Sequence, residues 1–224
     1  MPATVNRGFE TTCFLLTEGK DDAGFFRGLI KARNLGEFDV RPNYEMCGQG
    51  GNTGFSLAMR ASESQTGFDR IRHTVLIADN DSDPEGSFAE IKRQVREAAQ
   101  QPNAPEWAII EKPYEKAEGS PCVTSVMLPS IAAEGSLETL IWPVVEETYP
   151  ELAQDISQTL TRSGAIGWPI SKRDKARMRM FIASRVRRDP ALPLSQLWGF
   201  APELIPLESP VFDPICEFLA QCHD

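Results

Sequence analysis

"HTVLIAD", residues 73 to 79, is an apolar run rich in β-branched side chains and without polar alternation. That pattern belongs to a strand covered on both faces, as in a parallel sheet, rather than to a strand with one wet side. Upstream, "TTCFLLT" at 11 to 17 reads as a strand and 21 to 33 as a helix that sets Ala23, Phe26, Ile30 and Arg33 roughly in register. "FDVRPNYEM" at 38 to 46 reads as extended, and the glycines of "CGQGGNTG" at 47 to 54 mark a loop opening a short helix over 54 to 62. Downstream, Pro84 and Glu85 begin a helix reaching about Gln100, and "EWAIIEK" at 106 to 112 and "CVTSVMLP" at 122 to 129 are two more strands. This alternation predicts a doubly wound, mostly parallel α/β sheet over residues 1 to 130. After Pro129 the strand signal ends, and 131 to 224 reads as a helical extension packed on that domain, with "RSGAIGWP" at 162 to 169 as a hinge.

Composition excludes several classes. The chain has 224 residues, 41% hydrophobic and 25% charged, enough for a substantial core. No apolar run approaches the ~18 residues a membrane span needs. Pro2, Asn6, Arg7 and Glu10 are unlike a secretory leader, so the expected compartment is the cytoplasm. The five cysteines, Cys13, Cys47, Cys122, Cys216 and Cys222, are odd in number and never form C-x-x-C, which argues against a disulfide framework and a zinc ribbon. His73 and His223 are the two histidines, too few for chemistry that needs a histidine cluster. Cys216, Cys222, His223 and Asp224 read as a tail rather than a metal site.

Two predicted strands stop on carboxylates: Glu18 in "LLTEGKDD", and Asp79, Asp81 and Asp83 in "LIADNDSD". In open α/β sheets ligands bind beyond the carboxyl ends of the strands, so these turns can bring their acids together. Clustered carboxylates repel unless a hard cation lies between them, and Mg²⁺ or Mn²⁺ takes such oxygen donors. The Asp-x-Asp spacing suits this, since extended residues two apart point to the same side. Each turn also has a plain structural reading, with Asp21 and Asp22 complementing a helix dipole and "DSDPEG" serving as turn and cap.

These two motifs, in this order, resemble the Toprim domains of topoisomerases, primases and overcoming-lysogenisation-defect nucleases, over about residues 10 to 130. They also resemble small prokaryotic Toprim-like proteins with a helical C-terminal extension. The resemblance implies that Glu18, Asp79 and Asp81 are catalytic, and that Glu18, Asp22, Asp79 and Asp81 hold Mg²⁺ or Mn²⁺, with Glu138 as a candidate ligand of a second ion. It implies phosphodiester chemistry in which cations polarise the phosphate and stabilise attacking and leaving oxygens. A topoisomerase would need a tyrosine-bearing domain and a primase a zinc module, so a nuclease is the expected member, with defence against foreign DNA implied by analogy. The competing reading is a non-catalytic Toprim-like module that binds nucleic acid, a nucleotide or a protein partner.

The charge distribution supports a nucleic-acid partner. Residues 172 to 188 hold eight basic residues against Asp174 alone, a local +7, within a chain of net charge -9. Met178, Phe181, Ile182 and Val186 recur at helical spacing and form a packing face, which leaves Lys172, Arg173, Lys175, Arg177 and Arg179 as candidate phosphate contacts. A solvated charged helix, a protein partner or self-association stays open. Gly50 and Gly51 are weaker candidates for a phosphate cradle. Lys20 does not complete a P-loop, because Phe14 and Asp21 stand where that loop needs Gly and Ser or Thr. A dehalogenase-like phosphatase would carry Asp-x-Asp on the first strand, which here has only Glu18. Glu138, just after Gly135 and Ser136, also reads as a first-turn acid of a capped helix.

Overall fold

Five strands pair in the order β2-β1-β3-β5-β4, every neighbour parallel: β1 Cys13–Thr17, β2 Phe38–Pro42, β3 His73–Asp79, β4 Ala108–Ile109 and β5 Cys122–Leu128. The computed structural model describes residues 8–100, 104–105, 107–109, 111–116, 119 and 121–223. Glu106 and Ile110 of the expected fourth strand, the leader positions Pro2, Asn6 and Arg7, and Asp224 lie outside the described residues. The architecture is the expected doubly wound α/β sheet with C-terminal helices.

Helix α1, Lys20–Arg33, joins β1 to β2. Two helices, α3 Phe55–Glu63 and α4 Pro84–Ala99, flank β3 in sequence. The extended reading of 38 to 46 holds only as far as Pro42. There the chain turns into a short helix, α2, Asn43–Cys47, closed by Gly48 at φ 74. Pro42 has no N–H for the sheet and sits on an edge strand, while buried Asn43 donates to Gly51 O at 3.0 Å and ties that turn to the glycine loop.

Side chains alternate between two cores. Phe14, Leu16, Leu76, Ala78, Val123 and Met127 pack against α3 and α4. Cys13, Leu15, Val75, Ile77, Val126 and Leu128 face α1 and the C-terminal helices α5 Leu137–Thr148, α6 Pro150–Arg162, α7 Ile170–Arg185, α8 Leu197–Phe200 and α9 Asp213–Ala220. The composition change at Pro129 therefore does not divide two cores, because Phe25 on α1 packs edge-on against Trp198 and Phe212. Gly24 lets α1 approach the turn before α8, where a Cβ would stand 2.2 Å from Ser195 O. Asp21 Oδ1 accepts from Ser195 N at 2.8 Å beside it.

The C-terminal segment, expected as a tail, packs onto the sheet. Cys13, His73 and Cys122 occupy one register row across β1, β3 and β5, and the last turn folds over it. Cys216 and Cys222 are buried, Cys13 Sγ donates to Cys222 O at 3.2 Å, and the His223 ring stands edge-on to Phe38 at 4.7 Å. No described helix is long and apolar enough to cross a membrane.

Candidate active site

The chain leaves β1 toward β2 on one side and reaches β3 on the other, so the switch point of this sheet lies between the carboxyl ends of β1 and β3. Glu18 follows β1 and Asp79 ends β3, and they meet: Asp79 N donates to Glu18 Oε2 at 3.2 Å. The same end gathers acids from two helices. Asp22, in the first turn of α1, accepts from Gly19 N at 2.9 Å, and Glu138, in the first turn of α5, accepts from Ser136 Oγ at 2.8 Å. Both are buried and bear on the other acids; Asp22 caps α1, as the plain reading expects, whereas Ser136 and Thr139 cap α5 and Glu138 is a first-turn acid beside that cap.

Asp79 is the hub. Its Oδ1 accepts from Leu137 N, the first N–H of α5, at 3.0 Å, and its Oδ2 lies 3.4 Å from Lys175 Nζ on α7. Burial, then the Asp22 and Glu18 charges, raise Asp79 well above the usual carboxylate range, with Lys175 pulling the other way. Burial, then the Glu18 charge, pushes Asp22 up to about 8. Burial raises Glu138 against the opposing pull of Lys175 and Ser136. Burial alone would lower Lys175, but Asp79 and Glu138 hold its ammonium form and raise it overall.

Asp81 stands differently from the expected Asp-x-Asp geometry. The extended backbone ends at Asp79, and Asp81 turns to φ 50 with an exposed side chain. Its backbone bonds Gly135 in both directions, at 2.8 and 2.7 Å, which pins the start of α5 and so carries Glu138 to the site. Its charge bears on Lys175. Asp83 caps α4 by accepting from Gly86 N at 3.0 Å. Buried Asn80 holds the 130–133 loop through Nδ2, donating to Ser130 O and Ala133 O, both at 2.7 Å. Gly50 and Gly51 lie beside the end of β1, where Gly51 N donates to Glu18 O at 3.2 Å.

The basic stretch divides. Arg173 and Arg177 pair with buried Asp174 at 3.5 and 2.9 Å, and the Arg177 guanidinium lies over Trp142 at 5.3 Å. Both are engaged with Asp174 and keep part of their side chains exposed. Lys175 joins the acids, while Lys172 and Arg179 are exposed. Lys175 and Asn80 are site residues that sequence reading placed elsewhere or passed over. The one available signal is Asp174, a lone acid among eight bases, which marks where those bases fold inward.

Among the described residues, no group of three or more His, Cys, Asp or Glu side chains could hold a metal ion as it stands. The donor chemistry nevertheless fits a hard divalent cation. Four carboxylates offer oxygen donors only, burial raises three of them, and the Lys175 ammonium lies against Asp79.

Fold and site define a parallel α/β protein with an acid cluster at the switch point of its sheet. The model of the family described as "Protein of unknown function (DUF3226)" matches residues 12–224, and the chain belongs to that family. No curated protein and no solved structure matches it.

Proposed function

We propose that this protein is a metal-dependent phosphodiester-processing enzyme, a nuclease of Toprim-like type, and that it works in the cytoplasm. The convergence of Glu18, Asp22, Asp79 and Glu138 at the switch point carries the reading. These four would hold Mg²⁺ or Mn²⁺, which supplies charge to polarise a phosphate and ease deprotonation of water. In the metal-free protein burial and the Glu18 charge push Asp22 up to about 8, and a bound cation would offset that repulsion and favour its carboxylate. Lys175 brings an ammonium that suits a phosphate oxygen, and the N-terminus of α5 behind Asp79 adds a fixed positive dipole. Five free cysteines support a reducing compartment.

A second reading, a non-catalytic binding module, draws on the Lys175–Asp79 pair, which partly neutralises the acids without any ion. Turnover separates the two. Glu18→Gln keeps an oxygen to accept from Asp79 N but removes the charge. Cleavage of single- and double-stranded DNA and RNA with Mg²⁺ or Mn²⁺ is expected to fall by at least about 100-fold, with nucleic-acid affinity nearly unchanged. Purified wild type that cleaves none of these substrates sinks the enzyme reading, and cleavage surviving in Glu18→Gln moves it to another site.

A further inference from the structure

Lys175 links the buried acid cluster to one face of α7. Lys172, Lys175 and Arg179 are spaced i, i+3 and i+7, which puts them within about 60° of one another around the helix. Lys175 identifies that face as the one beside Asp79, and its side chain remains 44% exposed there. Lys172 and Arg179, one turn to either side, are exposed and make no ion pair among the described residues. Directly before α7 stands Trp168, 52% exposed, whereas Trp107, Trp142 and Trp198 are buried. It stands on extended backbone two residues before Ile170, the first residue of α7. A second exposed aromatic, Tyr44, lies in α2, which leaves the carboxyl end of β2; Gly48 N donates to its carbonyl, and Gly51 N in the following loop donates to Glu18 O.

We infer that this face binds a single-stranded nucleic acid, with bases stacked on Trp168 and Tyr44 and backbone phosphates on Lys172 and Arg179, so that the strand crosses the acids at Lys175. The inference rests on the reading of the acids as a phosphodiester-processing site and names its substrate class. Exposed rings are costly as bare surface but suit bases, because every base offers a π-face. Separated cations suit a flexible phosphate backbone, and their charge complements the strand in a protein whose net charge of -9 would otherwise repel it. In a duplex the bases are already stacked on each other and have no face to give the rings.

Trp168 is also the reporter. A short oligothymidylate, titrated in EDTA so that nothing is cleaved, should quench the tryptophan fluorescence of the wild type, and a duplex of equal length should bind more weakly. Trp168→Ala and Tyr44→Ala should each weaken oligothymidylate binding by at least about fivefold, the low end of base-aromatic stacking, while Trp168→Phe keeps most of the affinity. Lys172→Ala with Arg179→Ala should reduce the dependence of affinity on salt. Both aromatic side chains are exposed, and unchanged melting of the variants would confirm that the fold is intact.

Equal or tighter binding of duplex, or Trp168→Ala binding as well as wild type, overturns the inference. So does the absence of any oligonucleotide binding, including the case in which Trp168→Ala instead abolishes self-association on a sizing column. Trp168-dependent strand binding by a protein that never cleaves leaves this inference standing and removes the enzyme reading. Cleavage that needs Glu18 but ignores Trp168 and Tyr44 does the reverse.

Discussion

Lys175 Nζ lies 3.4 Å from Asp79 Oδ2 across 96 positions of the chain, which brings the C-terminal helices into contact with the end of the central strand. The lysine side of the pair is 44% exposed, so its attraction is partly screened and its contribution to stability is modest. Its position matters more, because it supplies positive charge to acids that burial and mutual repulsion disfavour.

Lys175→Met is expected to lower stability in EDTA by about 1 kcal/mol, the upper end for a half-exposed pair. The loss should shrink when Mg²⁺ is added, since a cation bound only by the folded state stabilises it by mass action and the variant leaves the acids without their ammonium. Thermal unfolding with and without Mg²⁺ checks this. An equal Mg²⁺-induced rise in both proteins would separate Lys175 from the place a cation takes.

Asp22 makes the metal-free protein sensitive to pH. Its folded value of about 8 lies above the unfolded value near 3.8, so the folded state holds the proton more tightly. The stabilisation is full below about pH 4 and is lost as pH rises through about 8. Asp22→Asn keeps an oxygen for Gly19 N and removes the titration. Its stability curve from about pH 5 to 9 should therefore be flatter than that of the wild type, with the remaining slope due to Asp79 and Glu138, which shift in the same direction. Parallel curves in circular-dichroism melting would show that Asp22 titrates in the ordinary range.

Asp174 is a structural acid. It is 2% exposed and receives Arg173 and Arg177, so Asp174→Ala leaves two guanidinium groups without their carboxylate. A loss of about 3 kcal/mol is expected, the low end for breaking a buried pair because both arginines keep some solvent. Lys172→Ala on the open face should stay within about 0.5 kcal/mol. Urea denaturation of both variants tests the contrast, and similar midpoints would mean that Asp174 is no more than a surface charge.

Gly24→Ala should reverse the usual helix rule. In an exposed helix interior the change stabilises by roughly 0.5–1 kcal/mol. Here the added methyl would meet Ser195 O at 2.2 Å and Ser195 Cα at 2.5 Å, backbone that cannot rotate away. A loss of about 1–3 kcal/mol is expected, with Gly28→Ala costing less because its nearest neighbours are side-chain atoms at 3.2 Å. A denaturation midpoint at or above wild type for Gly24→Ala would mean that α1 and the turn before α8 are not so closely packed.

What the sequence determined by itself was local. The apolar period of 73–79, the proline and acids opening α4, and the glycine turns specify which segments become strands or helices, because strand burial and helix capping are read within a few residues. The carboxylates at strand ends were legible for the same reason: strand direction fixes which end they leave. Tertiary structure alone decided which acids meet. The strand order puts β1 beside β3, and the Asp81–Gly135 bridge swings α5 inward to deliver Glu138, while the turn at Asp81 exposes the side chain that spacing had aimed at the site. The fate of the basic stretch was likewise undecidable from composition. Whether a lysine meets phosphate or a buried aspartate depends on which face of α7 packs against α5 and α6, and that is set by contacts between residues far apart in the chain.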